Sequence, residues 1–214
     1  MARVRTDEKR DEIVRIATEL FQRFGYDRCS MAVISENLGG SKATLYGYFP
    51  SKEELLRAVL DCQVATDADR VVQDFPATDD LRDSLILLGS AYLNKRMSSL
   101  PITNIRMVAN QPAGSTMGKD FYNNIIHPAF ERLIEKFTAL IEEGKLKRAD
   151  PEVVTMHWKG LCDWDLFERR LLGAIDGPDP KVIKKVATLA ADAFLKLYGV
   201  DEDVPTKKAR KKKS

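Results

Sequence analysis

Apolar positions recur along this chain at intervals of three and four almost from end to end, and the residues between them fall where helices start and stop. Ile13, Ile16, Ala17, Leu20, Phe21 and Phe24 form one stripe of an amphipathic helix, which Gly25 closes. Ser30 then reads as an N-cap, with Cys29 and Ile34 at the staple positions, opening a short helix that stops at Gly39-Gly40. Ser41 caps another short helix, ended by Pro50. Ser51 with Glu54 is a capping box ahead of a long helix through Leu55, Leu56, Val59 and Leu60. Further on, Thr78-Asp79-Asp80 precede a helix to about Ser99, Pro101 begins a shorter one, and residues 112–118 read as a loop before a long helix from about Lys119 to Glu143. Asp150-Pro151 and Asp179-Pro180 each place a capping carboxylate before a proline at the first helical position. The pattern predicts an all-α protein of about nine helices, with no strand and no internal repeat.

Composition adds bounds rather than a function. Of the 214 residues 44% are hydrophobic, enough for a packed core. The net charge of +2 does not by itself mark a nucleic-acid binder, but its distribution is uneven. Residues 1–58 carry ten basic against nine acidic side chains, 59–206 carry 18 against 23, and 207–214 carry six against none. The segment 205–214 therefore reads as a disordered basic tail, serving solubility or laying charge on DNA phosphates, and Arg3 with Arg5 forms a smaller arm of the same kind. Cys29, Cys62 and Cys162 lie far apart with no CxxC pair, which fits free thiols in a reducing compartment. With no signal-peptide core and no run near the roughly 18–20 apolar residues of a membrane span, the expected location is cytoplasmic.

Catalytic chemistry finds no signature: there is no nucleophile with its base, no phosphate-cradling glycine loop and no paired-carboxylate site. Asp163 and Asp165 flank Trp164, but positions so close on a helix point apart. His127 and His157 lie on different predicted helices without a Cys or carboxylate at ligand spacing, so neither a metal nor a cofactor is expected.

The informative stretch is 30–52. Two short helices joined by a tight glycine turn and packed on a preceding helix outline a helix-turn-helix. In the second of them Leu45 and Phe49, four apart, share an inward face, leaving Lys42, Thr44, Tyr46 and Tyr48 to line the rest. Hydroxyls and a lysine there suit phosphates and base edges, and packing of the two tyrosines within a small domain is the plainer alternative. Ser30 and Met31 fit capping and packing better than sequence readout.

Ile16-Ala17, Leu20-Phe21, Gly25-Tyr26, Ser30-Met31, Ile34 and above all the run Leu38 to Leu55, with its Thr44-Leu45-Tyr46-x-Tyr48-Phe49-x-x-Lys52 core, closely resemble the DNA-binding domain of the TetR/AcrR family. The resemblance covers about residues 10–57. It implies a homodimeric regulator, mostly repressors in the family, with a helix-turn-helix DNA-binding domain over 1–50 and a helical ligand-binding and dimerisation domain over 51–204. Its recognition helix would run from Ser41 to Phe49. Ser30, Met31, Ser41, Lys42, Ala43, Thr44, Tyr46, Gly47 and Tyr48 would then meet DNA, with Lys52 on a backbone phosphate. Two departures are Gly40, where the family usually has a bulky aliphatic residue, and Asn37, where a small one is common. A looser turn or a tilted recognition helix is the expectation from Gly40.

In the C-terminal half, the segment from Pro151 to about Leu172 carries two apolar stripes. Val153, Gly160, Trp164, Phe167 and Leu171 form one; Val154, Trp158, Leu161 and Cys162 form the other, the mark of a sandwiched helix. The last helix carries Ile183, Val186, Ala187, Ala190, Phe194 and Leu197, its alanines allowing close approach of another helix. By the resemblance these two helices form the dimer interface, for which Trp164, Phe167, Leu171, Val186, Ala187, Ala190 and Phe194 are the candidates. The resemblance also places a small-molecule pocket among helices 4 to 8, with Met107, Phe121, Tyr122, Ile125, Trp158, Leu161 and Cys162 as candidate lining and plain core packing as the alternative. Ligand binding would shift the fourth helix, and with it the separation of two DNA-binding heads on a pseudo-palindromic operator.

Overall fold

The structure is a computed structural model that describes residues 6–73, 75–177 and 179–200, and of 63–73 the course of the backbone only. Arg3, Arg5 and the basic segment 205–214 lie outside the described residues. The order is α1 (Asp7–Phe24), α2 (Met31–Asn37), α3 (Lys42–Tyr48), α4 (Lys52–Gln73), α5 (Leu81–Arg96), α6 (Ser99–Ala109) and α7 (Met117–Phe121). A π turn (Tyr122–Ile126) leads into α8 (His127–Glu142), followed by α9 (Pro151–Asp163), α10 (Leu166–Leu171) and α11 (Pro180–Tyr198). No strand occurs among the described residues, apart from an isolated antiparallel bridge of Leu146 with Gly199. With α7, the π turn and α8 taken as one run and α9 with α10 as one interrupted helix, the described residues form nine helical stretches, the number expected.

The caps act as their residue types dictate. Ser30 Oγ accepts the Val33 N–H, Ser41 Oγ the Thr44 N–H, and Ser51 Oγ the Glu54 N–H. Asp80, Asp150 and Asp179 accept first-turn N–H groups of α5, α9 and α11. Each such cap contributes about 0.5–2 kcal/mol. Gly25 ends α1 at φ 81°, a conformation that favours glycine.

Packing divides the chain into two compact units, Met1–Asp69 with Ser98–Pro128, and Arg70–Met97 with Ala129–Ser214. The division expected from the sequence, 1–50 then 51–204, follows chain order. Packing instead gives α6, α7 and the π turn to the first unit, because Met107, Met117 and Phe121 are buried in one core with Ile13, Phe21, Ile34, Leu45 and Leu56. Fully burying each such side chain contributes about 1.5–3 kcal/mol.

The second unit is built on a close pairing of α5 with α11. A Cβ placed on Gly89 would stand 3.2 Å from Ala187 Cβ and 3.5 Å from Cys162 Sγ, so the two helices touch backbone to side chain. Phe137, Trp158 and Phe194 fill the space beneath, with Phe137 and Phe194 ring centroids 5.3 Å apart and Tyr92 edge-on to Trp158 at 5.1 Å. Burial pushes the Cys162 thiol well above its ordinary range, and does the same to the Tyr92 hydroxyl.

Two expectations are corrected by this packing. Val186, Ala187, Ala190 and Phe194, expected at a dimer interface, are buried within the chain itself, and the small Ala187 stands where α5 comes closest, at Gly89. The helix expected from Pro151 to Leu172 breaks at Trp164, which takes φ 45° and ψ −126°. A bulky residue in that region costs of order 1–3 kcal/mol. The long helix expected from Lys119 to Glu143 is present as one helical run, Met117 to Glu142, with the π turn as a bulge inside it.

Gly89→Val tests the α5–α11 pairing. With no free space above Gly89 the expected overpacking costs about 1–3 kcal/mol, lowering Tm by roughly 2–4 °C per kcal/mol; calorimetry that finds Tm unchanged would refute the close approach.

Candidate nucleic-acid interface

A seven-residue helix such as α3 is too short to persist alone, so its position is set by what it packs on. Leu45 is wholly buried and Phe49 nearly so, both inside the first unit's core. The guanidinium of Arg10 on α1 lies over the Phe49 ring, 5.4 Å from its centroid. The turn between α2 and α3 is closed by Ser35, a buried side chain whose hydroxyl donates to the Gly40 carbonyl at 3.0 Å. Gly39 supplies the positive φ of 64° that the turn needs, and a Cβ on Gly40 would meet only ordinary contacts with Leu38. The looser turn expected from Gly40 is therefore not observed: the Ser35 hydrogen bond pins it. Asn37 donates its amide to the Val33 carbonyl and leaves the turn undisturbed.

With the inner face of α3 fixed, its other side is presented outward. Tyr46 is 48% exposed, and Ser41, Lys42 and Ala43 are exposed with it. Thr44, Gly47, Tyr48 and Lys52 are half-buried. Ser41 Oγ and Thr44 Oγ1 are hydrogen-bonded at 2.9 Å, so both hydroxyls are oriented at the helix start. Ser30 is exposed as the α2 cap, whereas Met31 is buried in the core and cannot reach a ligand. Tyr48 Oη accepts the Thr6 N–H at 3.0 Å and so holds the start of α1 against α3. The Lys52 ammonium lies 3.9 Å from the Tyr26 ring centroid, a cation–π contact that competes with any phosphate. Burial, then the Glu53 charge, pushes the Tyr26 hydroxyl up to about 12.

One constellation in this unit has no counterpart in the sequence motifs. Arg57 on α4 hydrogen-bonds Asp120 on α7 and, at 2.8 Å, Thr116 Oγ1; Thr116 also donates to Asp120 at 2.9 Å. The hydrogen bond from Thr116 and the Arg57 guanidinium hold the Asp120 carboxyl below the usual range. A second link joins Asn110, at the end of α6, to Asp27 after α1 at 2.6 Å. The four-residue spacing of Thr116 and Asp120 is a helical pairing signal, but nothing in the sequence assigns Arg57 to them.

The candidate pocket residues fall into two groups. Met107 and Phe121 are buried in the first unit's core with Ile125 packed against it, while Tyr122 is exposed. Phe121 and Ile125 also line a cleft of about 60 Å³ beside Arg57, Asp61 and Asn124. Trp158 and Cys162 are buried in the second unit's core, with Leu161 packed on it. Among the dimer candidates, Trp164 is exposed, and Phe167 and Leu171 are half-buried. Other exposed apolar side chains of the region are Val153 and Met156 on α9, Leu172 after α10, and Val182, Leu189 and Leu197 on α11. No group of His, Cys, Asp and Glu among the described residues could hold a metal ion, and no described helix is long and apolar enough to cross a membrane.

Comparison with known proteins agrees with this geometry. The model described as "Bacterial regulatory proteins, tetR family" matches residues 13–59, and "AefR-like transcriptional repressor, C-terminal domain" matches residues 83–200. Over 78 residues the chain is 36% identical to an uncharacterised HTH-type transcriptional regulator of Mycobacterium tuberculosis, a match that spans 36% of each protein. A TetR-family transcriptional regulator from Mesorhizobium loti shares the fold at a TM-score of 0.83 and 24% identity, over 92% of this chain and the whole of that one. The flavonoid-responsive regulator FrrA matches at a TM-score of 0.70 and 25% identity, again over 92% of this chain and the whole of that one. With one model on the helix-turn-helix and another over more than half of its length, the chain belongs to the TetR family of bacterial regulatory proteins.

Proposed function

We propose that the chain is a transcriptional regulator that grips a pseudo-palindromic operator as a homodimer and acts as a repressor released by a small, largely apolar ligand. The observation that carries the DNA-binding part is the division of α3 into a buried side, Leu45 and Phe49, and an outward side bearing Lys42, Thr44 and Tyr46. Tyr46 reaches base edges or phosphates in the major groove, and Lys42 adds charge beside it. Tyr48 serves chiefly to position α1 through Thr6. Two recognition helices must enter grooves roughly 34–36 Å apart on one face of the duplex, which takes a second copy. The apolar side chains exposed on α9 and α11 are the surface that would join the copies.

Ligand control rests on α4. Only Phe49, Pro50 and Ser51 separate the end of α3 from Lys52, and further along the same helix Arg57 ties α4 to α7. A ligand that displaces α7 or the π turn moves α4 through this tie, and the recognition helix with it. Leu60, Met117, Phe121 and Ile125 give the lining an apolar half beside the polar Arg57, Asp61, Asp120 and Asn124, and the flavonoid response of FrrA supports an effector of that class. A second reading, a DNA-binding regulator without small-molecule control, is favoured by the size of the cleft: about 60 Å³ is well below the ~300 Å³ at which ligand clefts begin.

Two measurements separate these readings. Tyr46→Ala is expected to lower operator affinity about 10-fold or more in gel shifts, in line with the roughly 1–3 kcal/mol of a good base contact, while sedimentation shows the dimer intact. Unchanged affinity would show that α3 is not the reading helix. In a titration of the operator complex with flavonoids and medium-chain fatty acids, release by at least one compound is expected; a complex indifferent to all of them supports the ligand-independent reading.

A further inference from the structure

The end of α11 is tied to the loop that follows α8. A Cβ on Gly199 would stand 2.6 Å from the Leu195 carbonyl oxygen, so glycine is what lets the chain turn off the helix there. It turns onto that loop: the Lys147 N–H donates to the Tyr198 carbonyl at 2.7 Å, and Gly199 forms an antiparallel bridge with Leu146. In antiparallel register the next residue, Val200, faces Lys145. Lys145 in turn lines an open groove of about 420 Å³ in the same unit, with Pro76, Ala77, Leu81 and Leu140 as its apolar lining and Asp79 as its carboxylate. The chain thus leaves Val200 at the lip of a groove that is cationic at the exit, apolar in part, and acidic at Asp79.

The sequence beyond Val200 matches that lining in kind and in order. First come Asp201, Glu202 and Asp203, and the loop at the exit exposes Lys145, Lys147 and Arg148. Next come Val204 and Pro205, which suit the apolar lining, and after Thr206 the cations Lys207 and Lys208, which suit Asp79. Lys145 already pairs with Glu143 at 2.7 Å, but both side chains are 54% exposed, and a pair so placed is weak enough to exchange partners. At about 3.3 Å per extended residue, Asp201 to Pro205 reach roughly 16 Å past Val200, enough to cross a groove of this size. We propose that residues 201–208 lie in this groove of their own chain, with the three acidic residues at the cationic loop, Val204 and Pro205 on the apolar lining, and Lys207 and Lys208 at Asp79. Held there, these lysines pair with a protein carboxylate, and a polyanion such as DNA must displace it to reach them.

Carbodiimide coupling of carboxylates to amines in the full chain, read by peptide mass spectrometry, tests this placement. Lys207 and Lys208 are expected to couple to Asp79 several-fold more often than to Glu152 or Glu168, exposed carboxylates of the same unit. Val204→Asp sets a charge against the apolar lining and is expected to cut the Asp79 yield about 10-fold, the effect of losing one buried aliphatic side chain. Ala77→Glu, at an exposed position of the lining, is a second variant with the same expectation, and circular dichroism reports that each variant is folded. An equal mixture of heavy-isotope and unlabelled chains separates links within one chain from links between two. Coupling without preference for Asp79, a yield that either folded variant leaves unchanged, or links found only between chains overturns the proposal, and the last result would give the groove to the corresponding segment of a second copy.

Discussion

The burial of Leu45 and Phe49 is the constraint on which the DNA-facing surface depends. Seven residues cannot hold a helix in water, so α3 exists because two side chains four apart lock into a core already formed by α1, α2 and the start of α4. Fixing those two also fixes the rotation of the helix, and rotation decides which side chains can touch a duplex. The hydrogen bond from Ser35 to the Gly40 carbonyl sets the remaining freedom, the angle at which α3 leaves the turn. Without the first interaction there is no element to present, and without the second there is no defined direction.

The legible parts of the fold are those governed by local rules. Caps at Ser30, Ser41, Asp80, Asp150 and Asp179 act within three residues of themselves, so the sequence states them directly. The inward pair of α3 follows from helical spacing in the same way. What the sequence leaves open is the partner of an apolar stripe. Val186, Ala187, Ala190 and Phe194 make a face fit for close helix packing, and periodicity alone does not tell α5 of the same chain from a helix of another. The interruption at Trp164 is equally hidden, since the Asp163 beside it meets side chains of α5 more than sixty residues earlier. Met31 shows the limit of resemblance: its position in the motif suits a contact, while its burial assigns it to packing.

The two units also differ in how their polar groups are used. In the first, Arg57, Asp120 and Thr116 lie near the surface and join elements that hydrophobic packing alone would leave free to slide. Such exposed links contribute little to stability but fix the register of α4 against α7. In the second, the Asp163 carboxylate is buried with a tyrosine and two cations around it, an arrangement that resists rearrangement because losing any one partner leaves a desolvated charge behind.

The hydrogen bond from the Thr6 amide to Tyr48 carries a practical consequence for how the protein is handled. It fixes the first turn of α1 beside α3, so a segment fused directly to Thr6 would start next to Tyr48. An affinity tag placed there competes with the duplex for space and, if histidine-rich, brings its own attraction for phosphate. Preparations intended for measuring operator affinity should have that end trimmed to the native residues before any two constants are compared.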